Sequence, residues 1–501
     1  MLVLIFIIVY FVCRAVFLSY AVSSPLEKVL GLLFFAAEAY VMFHAFGYFL
    51  GIYKLTKSKK SEPKITELTS FPPVAILIPA RHEPKEILEN TIASCYNLSY
   101  PSKTIYILDD SSKQEYMAEA KEIAQKYDCQ LFRREVRHGA KAGILNDCIK
   151  NLTDKYIVIF DADQNPISSF LTKTISILEN DSELALIQTP QYYSNLQSSN
   201  VAFAANMQQA CFYEYICEAK SIDGAMMCCG TNFVVRRETL ADVGGFDEST
   251  VTEDFATSFK LHLRGWKTLY YNHVSVFGQG PENLSAYFSQ QNRWAMGNIA
   301  VLKKVLAKLW KSPSALRPLQ WWEYLVTSSY YSVSWAYLFL IFCPIAYIIF
   351  DIPSFFMKPT VYMFSFLPYL ILSQLIFYAG MKNRNYAPSK ILRGQLLFFL
   401  SLPTYCKGTL LGLFGVSRKF IVTKKSDIGR VSYKQLWPQI SLWAINLSAI
   451  TWGINRFAYD RSPAVAVNLV WITYHFLLCS SIFYFNDKLE GSDKMALFDS
   501  A

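Results

Sequence analysis

Asp161 and Asp163 are separated by one alanine. A DxD pair at a strand end places two carboxylates where they can share a divalent cation and a diphosphate, and hard oxygen ligands select Mg²⁺ or Mn²⁺. The same pair also suits polar loop caps, so its meaning rests on what accompanies it. Asp109-Asp110 is an earlier acidic pair, and Thr252-Glu253-Asp254 a later one. Thr followed by two acids fits a helix N-terminus. It also fits a general base, because a sugar hydroxyl holds its proton far above pH 7 and must lose it to attack an anomeric carbon. Gln290 and Arg293 are three apart and share a helix face. The arginine offers fixed donors to a leaving diphosphate, and Trp294 offers a flat face to a sugar ring.

Alternating short elements position these residues. Val74 to Ile78, Lys103 to Leu108 and Tyr156 to Phe160 are apolar runs of strand length. Pro84 to Ala93 and Ala118 to Tyr127 have helical period between them. This alternation predicts an α/β domain with a mostly parallel sheet over residues 66–310, whose ligands bind beyond the strand C-terminal ends. The acidic pairs lie at those ends.

The rest of the chain is lipid-like. The 501 residues are 52% hydrophobic and only 17% charged, more apolar than a soluble domain. Leu2 to Leu18 and Leu30 to Tyr53 predict two spans over residues 1–65. The first lacks a basic leading region and a small-x-small cleavage site, so it reads as a retained span. Apolar stretches near 322–350, 359–380, 437–457 and 463–485 add four more in residues 311–501. Ile391 to Leu413 is interrupted by Arg393, Pro403 and Lys407. Basic clusters flank it on both sides, so the expectation is an interfacial helix rather than a span. Six spans then leave both termini and the α/β domain in the cytosol, in a multi-pass plasma or inner membrane protein.

The net charge of +9 lies largely beside apolar segments, as at Lys54, Lys57, Lys59 and Lys60. That is a positive-inside pattern and argues against nucleic acid as a partner. The eleven cysteines have no CxxC spacing. Zinc and disulfide frameworks are therefore not expected, and a reducing compartment fits.

Taken in order, the DD, DxD, TED and QxxRW elements resemble those of the processive membrane synthases of glycosyltransferase family 2. Further segments sharpen the resemblance: His138 to Asn146, Gln188 to Gln191, Cys229 to Asn232, and Phe420-Ile421-Val422-Thr423-Lys424-Lys425. The last is similar to the FxVTxK gating loop of bacterial cellulose synthases, here within residues 416–430. The resemblance covers about residues 70 to 430. It implies a GT-A-type domain between transmembrane helices, processive inverting transfer of glucose from UDP-glucose to a growing β-glucan, and export of the polymer through the chain's own helices.

It also implies roles. Asp109 and Asp110 would meet the uridine, and Lys141, Gln290 and Arg293 the diphosphate. Asp161 and Asp163 would hold the metal. Asp254, beside Glu253, would be the base. Trp294 and Cys229 would lie at the acceptor, and Thr423 and Lys425 would close over the nucleotide. One departure is Arg81, where the family often has a tyrosine at the uracil. Only residues 486 to 501 follow the last span, which leaves no room there for the β-barrel sensor of cyclic di-guanylate-regulated relatives.

The same motifs also fit a hyaluronan- or chitin-type synthase using UDP-GlcNAc. A non-processive transferase acting on a lipid carrier would lack QxxRW and FxVTxK. A pure transporter gives the acidic motifs no reason to exist. Sugar, linkage, oligomeric state and any envelope export partner are not written in the sequence.

Overall fold

The computed structural model describes residues 2–20, 24–58, 63–415 and 429–487. Its catalytic-size domain is built on one sheet. The first strand, β1 (Val74–Ala80), is nearly all aliphatic and buried on both faces. Val74, Ile76 and Ile78 enter one core layer with Leu88 and Ile92. Ala75 and Leu77 alternate into the other with Ile144 and Leu145.

Six more strands follow: β2 (Lys103–Asp109), β3 (Gln130–Phe132), β4 (Tyr156–Ile159), β5 (Leu184–Gln188), β6 (Phe233–Arg236) and β7 (Lys267–Tyr270). Their order is β3-β2-β1-β4-β6-β5-β7. All neighbours are parallel except β6, which runs antiparallel to both β4 and β5. The expected mostly parallel α/β sheet is therefore present. The reversed strand has a positional consequence. Its entry loop, Cys229 to Asn232, lies at the same edge as the C-terminal ends of β1, β2, β4 and β5. Asn232 N donates to Ile159 O at 2.9 Å and holds it there. A small second sheet joins Asn165–Pro166, Val276–Gly278 and Tyr192–Tyr193.

Among the described residues, five helices are long and apolar enough to cross a membrane: Leu2–Tyr20, Pro25–Lys57, Pro318–Phe350, Thr360–Asn383 and Pro463–Phe485. Such helices identify a membrane protein. Two expectations change. Trp437–Asp460 is helical over 24 residues, but Gln439, Asn446, Asn455 and Arg456 keep it out of the apolar set. The predicted interfacial helix at Ile391 to Leu413 is instead two helices, Pro388–Leu400 and Leu402–Leu413, bent by 50°. Pro403 cannot donate a backbone hydrogen bond at that break. One face is packed, with Leu397, Leu400, Leu402 and Tyr405 all buried, while Leu392, Lys407, Leu410 and Leu413 are exposed. The second helix packs through Gly408 and Gly412 onto Asn292 and Met296 of the long helix Leu284–Lys311. By length and composition alone the pair fits a broken span or a re-entrant element as well as an interfacial one.

Candidate active site

The sheet edge collects the sequence-predicted groups from four directions. Asp161 follows β4 and accepts from Lys141 Nζ at 2.5 Å. Lys141 lies in the first turn of the helix Ala140–Ile149 and also donates to Gly230 O at 2.7 Å. Burial alone would lower the Lys141 pKa, but the carboxylates of Asp161, Glu253 and Asp254 together raise it. The cation at this centre is therefore permanent.

Glu253 and Asp254 open the helix Glu253–Leu263. They sit deep yet keep part of their surface open to the cleft. Thr252 makes no side-chain cap, so capping does not account for the motif. Burial, and then the neighbouring Glu253 charge, push Asp254 up to about 7, while the Phe255 N–H, Lys141 and Arg293 pull in the other direction. Glu253 is also raised, chiefly by burial. Asp254 Oδ1 accepts from Phe255 N at 2.8 Å. Its other oxygen faces Gly230, whose φ is +86°. A Cβ there would stand 2.9 Å from Asp254 Oδ2. Glycine is thus required both for the left-handed turn and for the approach of the carboxylate.

The long helix brings Gln290, Arg293 and Trp294 alongside. It comes close because Gly297 faces Thr252, where a Cβ would lie 2.3 Å from the threonine Cγ2. Arg293 is near enough for its charge to be felt by both Glu253 and Asp254. Gln290 hydrogen-bonds Tyr193, whose ring also feels the charge of Asp163. Asp163 itself is buried. Trp294 is half-buried on the same helix. Cys229 N donates to Gln188 Oε1 at 2.8 Å, and Gln191 Nε2 donates to Cys229 O at 3.2 Å, which ties the QTPQ strand end to this loop. The Cys229 thiol meets Cys217, and that contact with burial pushes its pKa well up. A neutral thiol is a poor nucleophile, so covalent catalysis through Cys229 is disfavoured.

Asp109 and Asp110 stand apart, at the end of β2. Asp109 Oδ1 accepts from Ser111 N at 2.9 Å. Asp110 is clasped by Arg134 at 3.0 and 2.9 Å and by Arg137 at 2.8 Å. Arg134 also donates to His138 O at 2.6 Å and Ala140 O at 3.1 Å. One guanidinium therefore links the Asp110 corner to the Lys141 turn. Sequence reasoning passed over this arginine. Its signal was the basic run Arg133, Arg134, Arg137 just ahead of Lys141. Thr423 and Lys425 lie outside the described residues.

Among the described residues, no three His, Cys, Asp or Glu groups converge as a metal cage. Mg²⁺ does not require one: it keeps waters and takes one or two carboxylates with substrate phosphates. Asp161 and Asp163, with one Asp161 oxygen engaged by Lys141, fit that mode.

Residues 72–297 match the family model described as "Glycosyltransferase like family 2". The UDP-forming cellulose synthase catalytic subunit of Pseudomonas fluorescens (strain SBW25) is 27% identical over 467 residues, covering 89% of this chain and 60% of that one. Cellulose synthase 2 of Novacetimonas hansenii is 31% identical over 56% of this chain and 18% of its own length. The UDP-forming catalytic subunit of Xanthomonas axonopodis pv. citri (strain 306) is 31% identical over 55% of this chain and 38% of its own. The chain thus spans less than two thirds of these relatives. The mannosyltransferase PcManGT from Pyrobaculum calidifontis, solved with GDP-Man and Mn²⁺, shares the fold at a TM-score of 0.56 and 16% identity, over 77% of this chain and all of its own.

Proposed function

We propose, from the premise that this chain is a cellulose synthase-like member of glycosyltransferase family 2, that it transfers glucose from UDP-glucose processively onto a growing β-glucan. The reaction inverts the anomeric carbon, and the product leaves through the chain's own membrane helices. The catalytic domain faces the cytosol, where UDP-sugars are made, in a plasma or inner membrane. One observation carries this reading: Asp254, poised near neutrality, stands beside a permanent Lys141 cation at the sheet edge that also bears the DxD pair.

In this reading Asp254 accepts the proton of the acceptor hydroxyl as it attacks. Glu253 keeps Asp254 basic by adding negative charge. Lys141 and Arg293 receive the charge that develops on the leaving UDP, helped by Gln290. A divalent cation, Mg²⁺ or Mn²⁺, held by Asp161 and Asp163 would neutralise the diphosphate. Asp110 holds the uridine corner once Arg137, the more exposed of its two partners, gives way. Trp294 supports the acceptor ring, with Cys229 beside it. Thr423 and Lys425 close over the nucleotide.

The test is incorporation of label from UDP-glucose into ethanol-insoluble polymer by the purified full chain, followed by linkage analysis. EDTA should abolish incorporation and either metal should restore it, whereas Asp163→Ala should not be rescued. Incorporation from UDP-GlcNAc instead would move the assignment to a hyaluronan- or chitin-type synthase. Label on a lipid carrier alone would make it non-processive.

A further inference from the structure

His138 is placed unusually for an exposed histidine. Its Nδ1 lies 2.9 Å from Glu248 Oε2, and its Nε2 lies 2.8 Å from Asp147 Oδ2. Carboxylates only accept, so both contacts are hydrogen bonds together only when the ring carries both protons, as an imidazolium. The two carboxylates face opposite nitrogens and cannot converge on one metal ion. Other groups hold each carboxylate as well, and Asn146 of the helix Ala140–Ile149 also joins the two segments through Phe246 O and N. Asp147 lies on the helix Ala140–Ile149 and faces Lys150 at 3.1 Å and Arg134 at 3.6 Å. Glu248 ends the Gly244-Gly245-Phe246-Asp247 turn and accepts from Asn146 Nδ2 at 2.8 Å. Gly139 lies between them: a Cβ there would meet Glu248 Oε2 at 2.2 Å.

The two segments joined by His138 are the two that deliver the central charges. The loop through Gly139 leads directly into Lys141. The turn through Glu248 leads into Thr252, Glu253 and Asp254. We propose that His138 is a positioning residue for donor binding: its imidazolium staples the Lys141 turn to the turn before the carboxylate pair. This deepens the glycosyltransferase reading and rests on it for its functional consequence.

The sign of the pH effect follows. Hydrogen bonding to Glu248, and then to Asp147, raises the His138 pKa above its ordinary 6.5. A raised folded-state pKa means the tie is complete below about pH 6.5 and lost as pH rises through the higher folded value. The neutral ring can donate from only one nitrogen, so one carboxylate is released.

The experiment uses the full chain in detergent or nanodiscs. The KM and kcat for UDP-glucose are measured from pH 6 to 9, and the histidine ring resonances are titrated by NMR. The His138 signal is identified by its loss in His138→Gln. In the wild type, KM should rise as His138 deprotonates, and the acidic limb that Asp254 imposes on turnover should be shared by His138→Gln. His138→Gln should hold KM roughly tenfold higher, the scale of one charge-assisted hydrogen bond, and flat with pH. His138→Arg retains charge and two donors, so it should restore a low KM without the pH dependence. Asp147→Asn should return the His138 titration toward its ordinary value.

Equal KM for the Gln and Arg variants, or a wild-type pH profile of KM in either, would overturn the proposal. So would a His138 titration at or below 6.5. A chain that turns over no UDP-glucose, yet shows the raised titration and its loss in Asp147→Asn, would uphold the staple and defeat the donor assignment instead.

Discussion

At the scale of single residues, the decisive feature is a carboxylate that is neither fully charged nor fully protonated near neutrality. Asp254 reaches that state because burial and Glu253 disfavour its charge, while Lys141 and Arg293 limit the rise. A base of this kind works only when unprotonated. The kcat/KM for donor should therefore fall as pH drops below about 7, on an acidic limb belonging to Asp254. Asp254→Asn keeps the shape and removes the proton acceptor. Turnover should fall at least about a hundredfold and the acidic limb should vanish, with UDP binding by calorimetry retained. Near-normal turnover in that variant would remove Asp254 from the role.

At the scale of elements, the site depends on how closely the long helix Leu284–Lys311 approaches the turn before Glu253. Gly297 permits that approach, and Lys304 secures it by bonding both Asp247 oxygens at 2.9 Å. Gly297→Ala should push Arg293 away from the carboxylates and lower turnover by about tenfold or more. Thermal unfolding should shift less than turnover does, because a long helix can move by a fraction of an ångström without unfolding. Unchanged kinetics would mean that the helix is not registered by this contact. The segment Phe420 to Lys425 makes a separate prediction from its alternation. If it inserts as an extended strand, Thr423 and Lys425 face one side and Lys424 the other. Thr423→Ala and Lys425→Ala should each reduce polymer synthesis strongly, while Lys424→Ala should not. Equal tolerance at Lys424 and Lys425 would leave only a positive-inside anchor.

At the scale of the whole molecule, the catalytic domain and the membrane helices share a buried charge cluster. Lys220 is 2% exposed and pairs with Glu323 at 2.8 Å. Glu323 also lies 3.6 Å from Lys54 of the second membrane helix, and Lys54 pairs with Asp223. Removing one partner leaves an uncompensated charge with little access to water. Lys220→Met should therefore cost roughly 3–5 kcal/mol of stability, read as an earlier thermal transition of the full chain. A second substitution, Glu323→Gln, should recover part of that loss. A transition in Lys220→Met equal to the wild type would show that the cluster does not join the two parts.

The sequence by itself determined the elements and the chemical inventory. β1, β2 and β4 are continuous apolar runs and need no partner to be recognised, and Asp109, Asp161 and Glu253 were placed at element ends by their neighbours alone. Local patterning suffices there because burial on both faces leaves a strand only one composition. What the tertiary structure decided is everything that depends on closeness between distant segments. That Asp110 is clasped by Arg134, that His138 reaches Glu248, and that Gly230 and Gly297 stand where side chains would collide all join separate segments of the chain. The stretch at Ile391 to Leu413 shows the same limit. Its interrupting Arg393 and Pro403 read as interfacial in sequence, and the contact of Gly408 and Gly412 with the long helix is what the sequence did not show. Composition reports how apolar a segment is, but only packing decides which surface receives it.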